Sequence, residues 1–175
     1  MVLITLLRHA PLAVEHQKRF IGHTNVNIDL SLTDILKLNH IKDRKYDYIY
    51  SSDLQRCTQT LDLINFKYIQ DSRLREIKFK KEFEGKNFSE VERLDCYSIK
   101  HLSSMSSWHA FIAEETLVEF ENRVKSFLDE LPKDGDILIC SHGGTIKMIH
   151  ALLSKINYNK SILKVNYIEP IDLIL

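Results

Sequence analysis

The chain has 175 residues, 44% of them hydrophobic and 27% charged, which suits one compact domain with a full core. Its 24 Lys and Arg balance 24 Asp and Glu, so global charge argues against a nucleic-acid or membrane-surface partner while leaving room for a local basic pocket. Three cysteines (Cys57, Cys96, Cys140) without a C-x-x-C pair, no N-terminal signal segment and no bilayer-length apolar run fit a reduced, cytoplasmic protein.

Val2-Leu3-Ile4-Thr5-Leu6-Leu7 reads as a buried strand that ends abruptly in Arg8-His9. In an α/β sheet that position lies at the carboxyl edge, where ligands bind. A loop from about Ala10 to Leu30 follows, carrying the basic and aromatic cluster Lys18-Arg19-Phe20-Ile21-Gly22-His23-Thr24. The apolar spacing of Leu32, Ile35, Leu36, Leu38 and Ile41 predicts a helix over Leu32 to Lys42, with a weak capping signal in Ser31-x-x-Asp34. Tyr46 to Tyr50 reads as a second strand running into Ser51-Ser52-Asp53. There Ser52 or Asp53 would cap a helix whose buried face holds Leu54, Cys57, Leu61 and Ile64. Arg56 falls in the first turn of that helix, where the dipole disfavours a cation unless an anion compensates it.

Lys67 to Ile69 is a third short strand. After Leu74-Arg75-Glu76-Ile77 comes a charged stretch, and residues 86–112 are partly helical, so residues 78–112 read as an excursion over one end of the sheet. Thr116-x-x-Glu119 is a capping box for a helix with an apolar stripe of Leu117, Phe120, Val124, Phe127, Leu128 and Leu131. The strand Ile137 to Cys140 leads into Ser141-His142-Gly143-Gly144 and a helix burying Ile146, Ile149 and Leu153. In a chain with five glycines, the adjacent pair marks backbone that another group approaches closely. It also opens a helix whose free N–H groups can hold an anion. Leu163 to Ile168 and Ile171 to Leu175 read as edge strands. The expected fold class is α/β: a three-layer α/β/α sandwich with a mainly parallel central sheet, formed as a single domain over residues 1–175.

Arg8, His9, Arg56, Glu76 and His142-Gly143-Gly144 thus converge on one sheet edge. Two histidines, two arginines and a carboxylate suit phosphoryl transfer. Cations and N–H donors stabilise the equatorial oxygens, an imidazole can attack phosphorus, and a carboxylic acid can protonate the departing alkoxide.

These segments resemble the histidine phosphatase superfamily, the phosphoglycerate-mutase-like fold. The matching runs are Leu6-Leu7-Arg8-His9, Arg19-Phe20-Ile21-Gly22, Tyr50 to Thr60, Leu74-Arg75-Glu76-Ile77, Phe83-Glu84-Gly85 and Ser141-His142-Gly143-Gly144, in family order. The resemblance implies His9 as the phosphorylated nucleophile and Glu76 as proton donor and later base. It implies Arg8, Arg56, His142 and the Gly143 N–H as ligands of the phosphoryl oxygens, with Arg19 near the site. It implies no cofactor and no metal, the arginines supplying the positive charge. It also implies a small-molecule phosphate ester as partner, with alpha-ribazole phosphatases the most similar subgroup. The chain departs from the family pattern at Ala10, Pro11, Leu12 and Glu15, where a glycine, an acid, a hydroxyl and an amide are usual; Glu15 is expected to point away from the site. The short length favours a phosphomonoester hydrolase over a mutase, and the full set of reactive residue types argues against a non-catalytic phospho-ligand module. His16, His23, His40 and His101 read as loop or surface residues and His150 as partly buried packing. His109 is a candidate for touching the leaving group, and Lys78, Lys80 and Lys81 for charging the mouth.

Overall fold

A computed structural model describes residues 2–174. Among these residues five strands form one sheet in the order β3-β2-β4-β1-β5. They are β1 (Leu3–Arg8), β2 (Tyr48–Ser51), β3 (Ile69–Gln70), β4 (Ile137–Ser141) and β5 (Pro170–Ile174). The first four are parallel and β5 pairs antiparallel with β1. Alternation along the central strands sends side chains to both faces. Ile4, Leu6, Ile137 and Ile139 pack with Phe120, Val124 and Phe127 of α5 (Leu117–Asp129) and Ile146 and Ile149 of α6 (Gly143–Leu153). Leu7, Leu138 and Cys140 pack with Leu38 and Ile41 of α1 (Ile35–Lys42) and Cys57 and Leu61 of α2 (Gln55–Asp62). Helices on both faces of a mainly parallel sheet give the expected three layers.

The register brings the strand ends to one edge: Arg8 pairs with Ser141, and Ser51 with Cys140. Beyond that edge the His9 N–H donates to Ser141 O (3.1 Å) and the Ser52 N–H to Cys140 O (2.9 Å), so the residues that follow β1 and β2 are both pinned to β4. The sheet's own edges are blunted: β3 has two residues, and β5 begins with a proline.

Several local expectations shift. The first regular helix begins at Ile35 with Asp34 as its cap, accepting from the Leu36 and Lys37 N–H groups, while Leu30–Leu32 forms a separate 3-10 turn capped by Asp29. Only Leu38 and Ile41 of the proposed stripe are buried within α1; Leu36 is 73% exposed. In α2 the N-cap is Leu54, without a side-chain cap, and the Gln55 N–H donates instead to Asn25 Oδ1 at 3.0 Å. Neither Ser52 nor Asp53 caps the helix; Ser52 Oγ accepts from the N–H of Leu54, the N-cap residue itself, at 3.3 Å, and also serves the site described below. Leu163 to Ile168 forms no strand; the edge strand is β5, and Leu175, the last residue of the expected segment, lies outside the described residues.

Residues 78–112 contain α3 (Phe88–Val91) and α4 (Met105–Ile112) and surround a small cluster of Phe83, Val91 and Ile112 with Phe20, Phe79, Trp108 and Phe111. Lys80 Nζ donates to Ala110 O and Phe111 O at 3.0 and 2.8 Å, capping the C-terminal carbonyls of α4 where a cation is favoured. Lys78 pairs with Glu114. Neither lysine lines the cavity at the sheet edge, and Lys81 is exposed.

Candidate active site

His9 follows the last residue of β1 and is 4% exposed. Its Nδ1–H donates to its neighbour's carbonyl, Ala10 O, at 2.7 Å, which fixes the tautomer and leaves the Nε2 lone pair free. Ala10 is itself anchored, its N–H donating to Thr60 Oγ1 at 2.8 Å. Burial, then Arg56 and Arg8, push the His9 pKa well below the usual imidazole value, so the ring is neutral and nucleophilic at neutral pH.

Arg8 Nη1 donates to Val165 O at 3.0 Å, and its guanidinium lies 3.9 Å over the Tyr167 ring. Its Nε is buried and has no partner among the described residues. A buried donor without an acceptor is costly unless a ligand completes it.

Arg56 is 1% exposed. Its Nη1 donates to Thr24 O and its Nη2 to Gly22 O and Ile21 O, while Nε donates to His142 Nδ1 at 3.0 Å. Of the five N–H groups of a guanidinium, one, on Nη1, is left over. The loop carbonyls supply the partial negative charge that lets a cation sit in the first turn of α2. Because His142 Nδ1 accepts, its Nε2–H donates, to Ser52 Oγ at 2.8 Å. Cys57 Sγ also lies 3.4 Å from that nitrogen. Burial, Arg56 and His9 lower the His142 pKa well below its usual value. Both ring nitrogens of His142 are therefore engaged inside the protein, which departs from the expectation that they bind phosphoryl oxygens directly.

Glu76 stands on irregular backbone opposite the start of α6. Its Oε1 accepts from the Ile77 N–H and its Oε2 from the Gly144 N–H, both at 3.0 Å. A Cβ added to Gly144 would lie 2.5 Å from Glu76 Oε1, so the glycine pair is the close approach read from the sequence. The N-terminus of α6 holds a carboxylate of the chain itself. Gly143 lies beside both groups, its would-be Cβ 3.8 Å from Arg8 Cζ and 4.0 Å from Glu76 Oε2.

Arg8, His9, Arg56, Glu76 and His142 line one cavity of about 140 Å³ with Phe20, Phe79 and Tyr167. That is well below the roughly 300–1,000 Å³ of pockets for drug-sized ligands. Arg19 lines it too, near the site as expected; its Nε donates to Glu15 O and its Nη1 to Gly85 O and Glu90 (2.5, 2.9 and 2.6 Å), and its Nη2 has no partner among the described residues. It ties the first loop to the excursion. Glu15 is exposed and does not line the cavity, as expected.

His109 is buried away from the cavity, its Nε2–H donating to Glu115 O at 2.9 Å while its ring stacks on Phe120. It does not reach a leaving group. His101 stacks on Phe111 with ring centroids 3.9 Å apart. His16 lines the cavity, and His23 donates from Nε2 to Glu76 O at 2.9 Å, so neither is a plain surface residue. Sequence reasoning missed the contributions of Ser52, His23 and Tyr167. Ser52 stood inside a matching run, but Tyr167 carried no local signal.

The family model of the Histidine phosphatase superfamily (branch 1) matches residues 4–164. A relative from Hydrogenobacter thermophilus, named "Putative phosphoserine phosphatase 2", is 32% identical over 165 residues, covering 86% of this chain and 78% of its own. Among solved structures, the alpha-ribazole phosphatase from Shigella flexneri superposes with a TM-score of 0.73 at 20% identity, covering 89% of this chain and 81% of its own. Bacillus stearothermophilus YhfR superposes with a TM-score of 0.75 at 20% identity, covering 95% and 87%. At these identities the structural likeness speaks for the fold.

Proposed function

The chain belongs to the histidine phosphatase superfamily, and from that premise we propose that it hydrolyses a small phosphomonoester through a phosphohistidine on His9. The observation that carries this reading is the pairing of a free His9 Nε2 lone pair with a buried, unpartnered Arg8 Nε in one cavity. A nucleophile and a donor lacking its anion are the two halves of a phosphoryl site.

In the first step His9 Nε2 attacks phosphorus, the P–O ester bond breaks, and Glu76 gives its proton to the departing alkoxide. In the second, Glu76 takes a proton from water, the water oxygen bonds to phosphorus, the P–N bond breaks, and inorganic phosphate leaves. Arg8 Nε, the remaining Arg56 N–H and the Gly143 N–H are among the donors available to the phosphoryl oxygens. Arg56 adds full positive charge, and His142 holds its guanidinium in place. These groups supply in this reading the charge neutralisation that a metal would otherwise bring.

The cavity volume favours a small alcohol as leaving group. The relatives' names suggest phosphoserine and alpha-ribazole phosphate as probes, and sugar phosphates complete the set. Incubation with p-nitrophenyl phosphate tests the chemistry: His9→Ala should lose at least about a thousandfold in kcat/KM. Wild-type protein quenched during turnover should carry an acid-labile, base-stable phosphoryl group. Equal phosphate release by both forms overturns the reading. Phosphate exchange between substrate positions with little net release would mark a mutase instead.

A further inference from the structure

We infer that Arg123, on α5 and outside the cavity, is the positioning residue that sets where the Glu76 carboxyl stands. This rests on the proposed role of Glu76 as proton donor.

The segment that carries Glu76 belongs to no strand or long helix, so its backbone carbonyls must find partners elsewhere. They find side chains. Arg123 Nη1 donates to Arg73 O (2.7 Å) and Arg75 O (3.0 Å), and Arg123 Nη2 approaches Glu76 O at 3.5 Å. Ser141 Oγ donates to Leu74 O, Thr145 Oγ1 to Arg75 O, and His23 Nε2 to Glu76 O. Of these donors Arg123 alone reaches three of the four carbonyls, and it does so from a thirteen-residue helix packed on the sheet.

The arginine is itself held rigidly. Glu115 takes it on two prongs, Nε to Oε2 at 3.1 Å and Nη2 to Oε1 at 2.7 Å. Its guanidinium lies 4.9 Å over the Phe120 ring. Glu115 Oε1 also accepts from the Lys78 N–H at 3.1 Å. One Arg–Glu pair therefore grips the backbone on both sides of Glu76, at residues 73–76 and at residue 78. The Ile77 N–H, one of the two donors that orient the Glu76 carboxylate, lies inside that grip. A planar, forked guanidinium can serve several carbonyls and a carboxylate at once, which a lysine ammonium cannot.

Leaving-group dependence separates positioning from mere stability. p-Nitrophenolate departs without a proton, whereas an alkoxide needs one, so loss of a well-placed acid should fall on alkyl phosphates. The measured quantity is kcat/KM, which ends at the first irreversible step and so excludes the later hydrolysis. The substrates are p-nitrophenyl phosphate and the best alkyl phosphate from the substrate screen. Glu76→Gln should lose about 10²–10⁴-fold on the alkyl ester and far less on the aryl ester. Arg123→Met should lose on the order of tenfold more on the alkyl ester than on the aryl ester. The ratio, taken on one preparation, is independent of how much protein is folded. Equal losses for Arg123→Met overturn the inference. If that variant yields no folded protein, Glu115→Gln must show a selective loss of the same sign, and an unchanged ratio there overturns it too. If Glu76→Gln shows no selectivity, the assignment of Glu76 falls and this inference with it. Selectivity in Glu76→Gln but not in Arg123→Met removes the inference alone.

Discussion

Gly144 has no side chain where Glu76 needs room. A Cβ there would lie 2.5 Å from Glu76 Oε1 and 3.1 Å from Ile77 Cδ1. The group it would meet first is the free end of a flexible side chain, so Gly144→Ala should fold almost normally, and alanine suits the start of a helix. Activity is another matter, because the displaced atom belongs to the carboxyl proposed to move the proton. We expect Gly144→Ala to lower kcat/KM for alkyl phosphates on the order of tenfold or more, with the thermal midpoint little changed. A variant as active as wild type would show that the carboxylate needs no fixed position. The glycine pair is legible in the sequence as a close approach, but its partner is not. Nothing near residue 144 announces a carboxylate 68 positions earlier. The same holds for Ser52, whose nearest sequence role is a helix cap and whose distant partner, beside the local Leu54 N–H, is His142 Nε2.

At the level of elements, local signals hold where the chemistry is reciprocal. Thr116 accepts from the Glu119 N–H and Glu119 accepts from the Thr116 N–H, the full capping box expected for α5. Thr116→Ala should destabilise the protein by about 0.5–2 kcal/mol, read as a lower urea midpoint with an unchanged slope. Because α5 carries Arg123, a modest loss of activity toward alkyl phosphates should accompany it. Local spacing misplaces the start of α1, because Asp34 competes with Ser31 and wins by reaching two N–H groups. The cap of α2 is illegible for a different reason: its acceptor, Asn25 Oδ1, comes from a loop 30 residues away. The segment Leu163 to Ile168 is no strand although its apolar alternation suits one. The place beside β1 is taken by β5, and Val165 and Tyr167 turn instead to Arg8, through a carbonyl and a ring.

Across the whole molecule, burying histidines links stability to pH. His9 and His142 have pKa values pushed well below the ordinary imidazole range, chiefly by burial and then by Arg56, and burial lowers His23 as well. The unfolded chain therefore binds more protons than the folded one just below the ordinary histidine pKa. Stability from these groups is present above about pH 6.5 and is lost as pH falls toward the folded values, each group contributing a limiting slope of roughly 1.4 kcal/mol per pH unit. Urea midpoints should drop between pH 7 and pH 5, and His9→Asn should make that drop shallower. Parallel profiles for wild type and variant would mean that His9 titrates normally in the folded protein. NMR titration of the ring resonances gives an independent reading.

The sequence by itself determined the alternation of strands and helices, the two apolar faces of the sheet and the reactive residue types at the strand ends. Periodicity, turn residues and capping are properties of neighbouring positions, so they survive in the linear chain. The tertiary structure alone decided which donor serves which acceptor. Arg56 meets His142 across 86 positions and Arg123 grips the Glu76 segment across almost 50. Such pairings follow from strand order and register, which bring distant segments to one edge and leave the remaining buried polar groups to find partners there.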